Sequence, residues 1–277
     1  MIFALVRLMR LYYSLPLSGG LVVITAYITG GDFSDISIKL IPAVVSLFLV
    51  ISAGYILNDV CDRTVDAVNR PDRALPTQKI TPSAALIAAV LLFAAGLGAA
   101  LYGGWKFFGV LATVTAGLVL YDLYSKKMGI FKNILAAALT VSLYPLSFAL
   151  ADPVPTPRLN ALYIFPVWLF LTTIGYEMLK DIGDVKGDRI RRGNRAYCES
   201  PVFLLAAKGI IMTAAVLTIL PYLLDYCKSI YLACSILSIL LAVVSLKLDP
   251  EKAIRLVYIE VFLITVGSLA DLLVFGP

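Results

Sequence analysis

Nine apolar runs, each about 20 residues long, constrain the fold of this chain more than any other feature. They lie at about 14–30, 40–58, 82–101, 105–123, 131–150, 160–180, 201–223, 228–246 and 254–275. A helix of this length crosses a hydrocarbon core of roughly 30 Å, whereas a membrane barrel shows short alternating segments. Only 15% of the residues are charged, against about a quarter in soluble domains. We therefore predict an all-α polytopic membrane protein with nine transmembrane helices.

The basic residues are distributed unevenly about these spans. Nineteen Lys and Arg residues lie on one side of the predicted helices and four lie on the other. Because cytoplasmic loops of membrane proteins carry the excess of Lys and Arg, we predict a cytoplasmic amino terminus. Residues 1–12 carry Arg7 and Arg10 on an apolar helix, which is typical of an interfacial helix that lies on the membrane.

Two acidic motifs share one spacing. Relative positions 0, 3 and 7 are occupied by Asp59, Asp62 and Asp66, and again by Asp181, Asp184 and Asp188. Such a triplet falls within an arc of roughly 60° on one face of a helix. The motifs end the second and the sixth predicted span, as two fused four-helix units plus one extra helix would give. We therefore predict that they face each other at the cytoplasmic mouth of a central cavity.

The carboxylates of each motif repel one another, so a divalent cation or several basic groups should lie among them. The chain has no histidine, and its four cysteines form no CxxC pair, so nitrogen and sulfur ligands are scarce. Oxygen ligands favour hard cations, above all Mg²⁺ where few carboxylates meet a phosphate. The pattern is suited to holding Mg²⁺ against a diphosphate leaving group. The alternative is a solvated acidic loop that ends a helix.

The residues around the first motif carry a specific resemblance. Asn58 to Asp66, followed by Asn69-Arg70-Pro71-Asp72-Arg73 and Leu75-Pro76, resembles the NDxxDxxxD signature of the UbiA superfamily of intramembrane prenyltransferases and its trailing NRPxRPLP. Asp181 to Asp188 resembles that family's second signature, DxxDxxxD. The nine-helix layout matches as well, so the resemblance covers essentially the whole chain. The chain departs from the family at Ala74 and at Thr77-Gln78, and neither departure changes a proposed ligand.

The resemblance implies one prenyltransferase domain over residues 1–277, with catalytic cytoplasmic loops at about 58–81, 121–133 and 180–200. It implies that two Mg²⁺ ions are held by Asn58, Asp62, Asp66, Asp181 and Asp184, with Asp59 and Asp188 as direct or indirect ligands. The loop that starts at Tyr121 and continues through Lys132 and Asn133 resembles the family's tyrosine-and-lysine loop. Diphosphate contacts are thereby implied for Arg63, Arg70, Arg73, Tyr121, Tyr124, Lys126, Lys127, Tyr176 and Lys180. Simpler roles remain open: a helix cap for Asn58, topology anchors for the lysines and Arg73, and packing or a helix-end role for Tyr176 and Lys180.

The reaction implied is transfer of a prenyl chain from an allylic prenyl diphosphate, geranyl to geranylgeranyl or longer, through an allylic carbocation. The acceptor would be a lipophilic molecule in the bilayer, and no nucleic acid is involved. An aromatic quinone precursor is the favoured acceptor, and a glycerophosphate ether of archaeal lipid synthesis is the alternative. A divalent-cation or solute transporter is the rival from another class, but it would place carboxylates near the middle of spans. A CDP-alcohol phosphotransferase would need a glycine-alanine-arginine signature that the chain lacks.

Overall fold

The computed structural model describes the backbone of residues 2–188 and 196–277, and their side chains except at positions 2, 126, 186–188, 196 and 197. Over these residues all regular secondary structure is helical. The α-helices are α1 (Ile2–Leu8), α2 (Leu11–Thr29), α3 (Ser37–Cys61), α4 (Arg63–Asn69), α5 (Pro82–Ala100), α6 (Trp105–Tyr124), α7 (Phe131–Val141), α8 (Leu143–Leu150), α9 (Phe165–Asp188), α10 (Pro201–Leu217), α11 (Leu220–Leu223), α12 (Ser229–Ser245) and α13 (Pro250–Phe275). The all-α prediction is confirmed.

Eight helical segments of the described residues are long and apolar enough to cross a membrane. They are Leu11–Thr29, Ser37–Cys61, Pro82–Gly103, Trp105–Tyr124, Phe131–Leu150, Pro157–Val185, Pro201–Leu223 and Pro250–Phe275. Each matches a predicted span. The remaining predicted span corresponds to α12, an apolar helix of 17 residues. A ninth crossing, the internal repeat and the central cavity therefore stay predictions.

Three helices begin with the same local arrangement. Thr81, Ser200 and Asp249 each accept a backbone N–H of the first helical turn through the side chain, and a proline follows each of them. The cap satisfies an N–H that has no partner within the helix, and the proline has no N–H to lose there. These starts follow from the local sequence. The predicted spans begin at the first helical residue of α5 and α10, and four residues after that of α13.

The amino-terminal segment differs from the prediction of an interfacial helix over residues 1–12. The helix ends at Leu8, and Arg10 adopts a left-handed backbone conformation, with φ 48° and ψ 57°, before α2 begins. Ala4 and Leu8 are buried in a cluster with Ile56 and Leu75. The segment therefore packs against α3 and the loop after α4, because its apolar face has a protein surface to bury against.

The two acidic motifs differ in their backbone. The first is interrupted, since α3 ends at Cys61 and α4 begins at Arg63, with Asp62 between them at φ −95° and ψ 6°. Backbone hydrogen bonds from Asp62 to the Asn58 carbonyl and from Asp66 to the Asp62 carbonyl, both 2.8 Å, continue across the break. The second motif lies within the last turns of α9, which is continuous to Asp188.

A buried ion pair ties the chain together at the opposite end of the bundle. Arg158 donates to Asp271 at 2.7 Å and to the Gly276 carbonyl at 2.5 Å. Asp271 also accepts the backbone N–H groups of Lys228 and Ile230 at the start of α12. Both oxygens of this carboxylate are engaged, so the cluster stabilises the junction of α12, α13 and the segment before α9 without a free carboxylate oxygen for chemistry.

Candidate active site

The first acidic motif is held by two arginines. Arg73, in the loop after α4, donates to Asp59 at 2.9 Å and to Asp66 at 2.5 Å. Arg10, from the junction of α1 and α2, donates to the same oxygen of Asp59. Asp59 and Asp66 are both buried. Their charges are therefore compensated by cations from two separate segments, as burial of carboxylates requires.

Burial and charge act in opposite directions on Asp66, which lies in α4 outside the membrane-spanning segments. Removal from water raises the pKa of the Asp66 carboxyl, and the adjacent Arg73 guanidinium lowers it. The net direction is upward. Without an additional cation, the ionised form of Asp66 is thus less favoured than in water.

The second acidic motif begins at a buried aspartate with two partners from α7. Lys132 forms an ion pair with Asp181, and the Asn133 amide donates to the other carboxylate oxygen at 3.2 Å. Lys132 and Asn133 are buried as well. Since both polar residues lie at the first turn of α7 and face α9, this turn supplies the charge and the hydrogen bond that Asp181 needs.

The two motifs lie side by side, because α4 packs against α9. The Asn69 amide donates to the backbone carbonyl of Asp184 at 3.0 Å. Arg70 reaches the Asp184 carboxylate at 3.1 Å, with the arginine 38% and the aspartate 21% exposed. The structure thus brings Asp59, Asp66, Asp181 and Asp184 to one end of the bundle, as the repeated spacing predicts.

Asn58 lies one residue before the first aspartate and contacts α6. Its amide donates to Asp122 at 3.1 Å, and Asp122 is buried. Within the part of the chain that the structure describes, the second oxygen of Asp122 has no hydrogen-bond partner. The Asn58 side chain is therefore held by another helix, which a role as a simple helix cap would not require.

Several predicted diphosphate ligands lie on the exposed surface, and their contacts with the diphosphate stay predictions. Arg63, Tyr124 and Lys127 are exposed, and Lys127 lies 5.9 Å from the ring centre of Tyr124. Tyr124 follows the buried Asp122 by two residues, which places it about 200° around the helix on the outer face. Arg63 precedes the buried Val65 by the same interval. The side chains of Lys126 and Asp188 lie outside the described residues.

The other predicted contacts lie near the aspartates and among aromatic rings. Lys180 pairs with Glu177 at 3.2 Å, and Tyr121 lies near both of them. The hydroxyl of Tyr176 is 2.5 Å from that of Tyr258. Rings also stack from α2, where Tyr13 lies 4.8 Å from Tyr258. Aromatic and cationic side chains thus share one region of the bundle.

The sequence did not assign Arg10, Lys132, Asn133 or Asp122 to the site. A usable signal existed for each, because a polar side chain on an otherwise apolar helix is costly in a membrane unless it has a partner. Lys132 and Asn133 also close the loop that resembles the family's tyrosine-and-lysine segment. The left-handed backbone conformation at Arg10 positions its side chain, and no local sequence pattern predicts that conformation.

The donor set of this site fits Mg²⁺. Its polar ends are carboxylate oxygens and the Asn58 amide, which are ligands of hard cations. Within residues 2–188 and 196–277, no three acidic or thiol side chains close on a single point. The carboxylates instead form ion pairs with basic side chains. A metal ion can bind these carboxylates only if some of the ion pairs of Arg10, Arg70, Arg73 and Lys132 break.

A helical membrane bundle with two adjacent acidic motifs and their basic partners defines a membrane-embedded enzyme that can bind an anionic lipid substrate. The family model described as the UbiA prenyltransferase family matches residues 18–263. The digeranylgeranylglyceryl phosphate synthases of Natronomonas pharaonis and Methanopyrus kandleri are each 32% identical to this chain, over 78% and 91% of its length and 76% and 93% of theirs. The chain belongs to the UbiA prenyltransferase family and is a multi-pass membrane prenyltransferase.

The fold agrees with that of a solved relative. A UbiA homolog from Archaeoglobus fulgidus, bound to GPP and Mg²⁺, has a TM-score of 0.63 and covers 98% of this chain and 100% of its own. At 15% sequence identity, this likeness concerns the arrangement of the helices. The similarity of the fold therefore extends over nearly the whole bundle.

Proposed function

We propose that this prenyltransferase transfers a geranylgeranyl chain from geranylgeranyl diphosphate to a glycerophosphate ether that already carries one such chain. The two curated relatives with this name support that acceptor, whereas the sequence alone favoured an aromatic quinone precursor. The glycerophosphate alternative thus replaces the quinone precursor as the leading hypothesis.

The observation that carries the proposal is the number of cations on the acidic motifs. Arg10, Arg70, Arg73 and Lys132 all pair with motif carboxylates. Two phosphorylated lipids bring more negative charge than one prenyl diphosphate and one aromatic carboxylate. A site with four such cations is suited to two anionic substrates, since guanidinium and ammonium groups form strong charge-assisted hydrogen bonds to phosphate oxygens.

Two Mg²⁺ ions would be held by Asn58, Asp62, Asp66, Asp181 and Asp184, with Asp59 and Asp188 as further or indirect ligands. The oxygen donors support this assignment, as does the relative bound to GPP and Mg²⁺. When bound, Mg²⁺ neutralises diphosphate charge and makes the diphosphate a better leaving group. Arg70, Arg73 and Lys132, released from their carboxylates, would then bind phosphate oxygens. Tyr121, Tyr176 and Lys180 keep their proposed diphosphate contacts.

The aromatic rings of the site would stabilise the positive charge that develops on the prenyl chain. The rings of Tyr13, Tyr55 and Tyr258 lie close together. The ring centre of Tyr258 is 4.8 Å from that of Tyr13, and the ring centre of Tyr55 is 6.0 Å from it. A ring face stabilises a cation by about 0.5 to 2 kcal/mol, and more where water is excluded. The surrounding apolar helices would exclude the water that would otherwise consume the allylic cation.

The test is a competition between acceptors. The purified full chain in detergent is given geranylgeranyl diphosphate with geranylgeranylglyceryl phosphate or 4-hydroxybenzoate, in Mg²⁺ or in chelator. We expect diphosphate release and prenylated product with the glycerophosphate ether, and loss of both in chelator. Product from the aromatic acid alone would contradict the proposed acceptor, and turnover in chelator would contradict the metal.

A further inference from the structure

Asp122 is a buried acidic residue that belongs to neither acidic motif. It lies near the end of α6, and its Oδ1 accepts the Asn58 amide at 3.1 Å. Its Oδ2 is buried and has no hydrogen-bond partner among the described residues. Among the hydrogen bonds of the described residues, the bond from Asn58 is therefore the contact that engages this carboxylate.

The packing of α3 on α6 fixes this pair. One helical turn earlier, a Cβ at Gly54 would lie 3.7 Å from the side chain of Leu118. Gly54 and Leu118 precede Asn58 and Asp122 by four residues each, so both pairs follow from one parallel register of the two helices. A Cβ at position 54 would be in ordinary van der Waals contact with Leu118, so the two helices already lie close together one turn before Asn58 and Asp122.

The chemistry of the two side chains sets the orientation of the amide. A carboxyl oxygen that carries no proton only accepts hydrogen bonds, whereas an amide has an accepting oxygen and a donating NH₂ at nearly equal size. The NH₂ end of Asn58 must therefore face Asp122, and its oxygen faces away. Mg²⁺ binds the oxygen of an amide and not its NH₂ group.

We infer that Asp122 is a positioning residue that keeps the amide oxygen of Asn58 available to Mg²⁺. The inference rests on the proposed function, because it takes Asn58 as a magnesium ligand. Without Asp122, the amide could rotate by half a turn and present its NH₂ group to the metal. Residues that orient a metal ligand in this way typically change metal affinity by about 10- to 100-fold when they are replaced.

The decisive test exchanges the two residues. In Asp122→Asn, the acceptor that selects the amide orientation is lost at nearly unchanged size. In the double variant Asn58→Asp with Asp122→Asn, the amide at position 122 can donate to the carboxylate at position 58, which still offers an oxygen to the metal. The hydrogen bond and the ligand are both restored, although neither residue is the original one.

Binding is measured with Mn²⁺, an ion that prefers oxygen ligands and whose free form is counted by electron paramagnetic resonance. The full chain is kept in detergent, and its melting temperature without metal reports folding. We expect Asp122→Asn to weaken Mn²⁺ binding by about tenfold or more, and the exchange to return it to within about threefold of the original. Thr115→Ala, on the same helix, should leave binding unchanged.

Each other outcome has a defined meaning. Unchanged Mn²⁺ affinity in Asp122→Asn overturns the inference. An exchange variant that fails to fold, or that binds Mn²⁺ as weakly as Asp122→Asn does, also overturns it. Weak binding by a folded exchange variant would indicate that Asp122 itself ligates the ion. If Asp122→Asn does not fold, the Mn²⁺ affinity of the exchange variant, compared with that of the original chain, decides whether the inference holds. Asn58→Ala distinguishes failure of this inference from failure of the proposed function. Full Mn²⁺ affinity in Asn58→Ala would contradict Asn58 as a ligand, and with it the proposed set of metal ligands.

Discussion

At the scale of single residues, the ion pairs formed by Asp181 and Asp184 differ in their exposure. Lys132 is buried against Asp181, whereas the pair of Arg70 with Asp184 is partly exposed. Removing one partner of a buried ion pair strongly destabilises the protein, whereas an exposed ion pair contributes about 1 kcal/mol or less to its stability. Substitutions at these positions should therefore separate catalysis from stability.

Lys132 and Lys127 form a matched pair for the diphosphate contact. Lys132→Met should lower kcat/KM about 100-fold, because a cation that meets the departing diphosphate is lost. It should also lower the melting temperature, since Asp181 is left buried without its charge partner. Lys127→Met should change kcat/KM less than about twofold because Lys127 is exposed. Equal losses in the two variants, measured with geranylgeranyl diphosphate, would contradict the assignment of Lys132.

Asp184 can be compared with an exposed aspartate at the other end of the bundle. Asp184→Ala should abolish Mg²⁺-dependent turnover while the melting temperature changes by only a few degrees, because its pair with Arg70 is partly solvated. Asp225 forms an exposed pair with Lys228, so Asp225→Ala serves as the control. Full turnover of purified Asp184→Ala would remove this residue from the metal site.

At the scale of helices, close approach depends on single glycines. A Cβ at Gly96 of α5 would lie 2.9 Å from the backbone oxygen of Ser46 and from the side chain of Val50, both in α3. A Cβ at Gly98, two residues later, would have nothing within 4 Å. The contact between α5 and α3, which carries the first acidic motif, therefore leaves no space for a Cβ at position 96 and leaves space for one at position 98.

This difference predicts opposite effects of one substitution. Gly96→Ala should destabilise the protein by about 1 to 3 kcal/mol, because the backbone oxygen of Ser46 cannot yield without moving a helix. Gly98→Ala should be neutral or stabilising, since alanine is favoured over glycine in a helix by up to about 1 kcal/mol. Thermal unfolding in detergent measures both. A melting temperature of Gly96→Ala at or above that of Gly98→Ala would contradict the packing described.

At the scale of the whole molecule, the excess of basic residues predicts that the site opens to the cytoplasm. In a variant without its four cysteines, Lys247→Cys should resist an impermeant maleimide in intact cells and react after permeabilisation. Asp35→Cys should react in intact cells. Both positions are exposed, so accessibility within the protein does not decide the result. The reverse labelling would place the site on the outer side.

Local sequence was sufficient to predict the class of fold and the two acidic motifs. Span length follows from the thickness of the hydrocarbon core, so eight of the predicted spans agree with helices of the structure. The 0, 3, 7 spacing identified the aspartates without any tertiary contact. The helix of the amino-terminal segment ends at Leu8, and Arg63, Tyr124 and Lys127 are exposed, because the face of a helix that is buried depends on its neighbours. The membrane contact of that segment and the diphosphate contacts of these three residues stay predictions.

Only the tertiary structure decided which groups pair across the bundle. Arg10 meets Asp59, Lys132 meets Asp181 and Asn58 meets Asp122, and each pair joins separate helical segments. Whether two such side chains meet is set by the register and rotation of packed helices, which arise from the complementary surfaces of the whole bundle. The amino-acid sequence determined that the carboxylates lie at the ends of membrane spans and need compensating charge. The packing determined which cations supply it, because helix contacts between distant segments carry no local pattern.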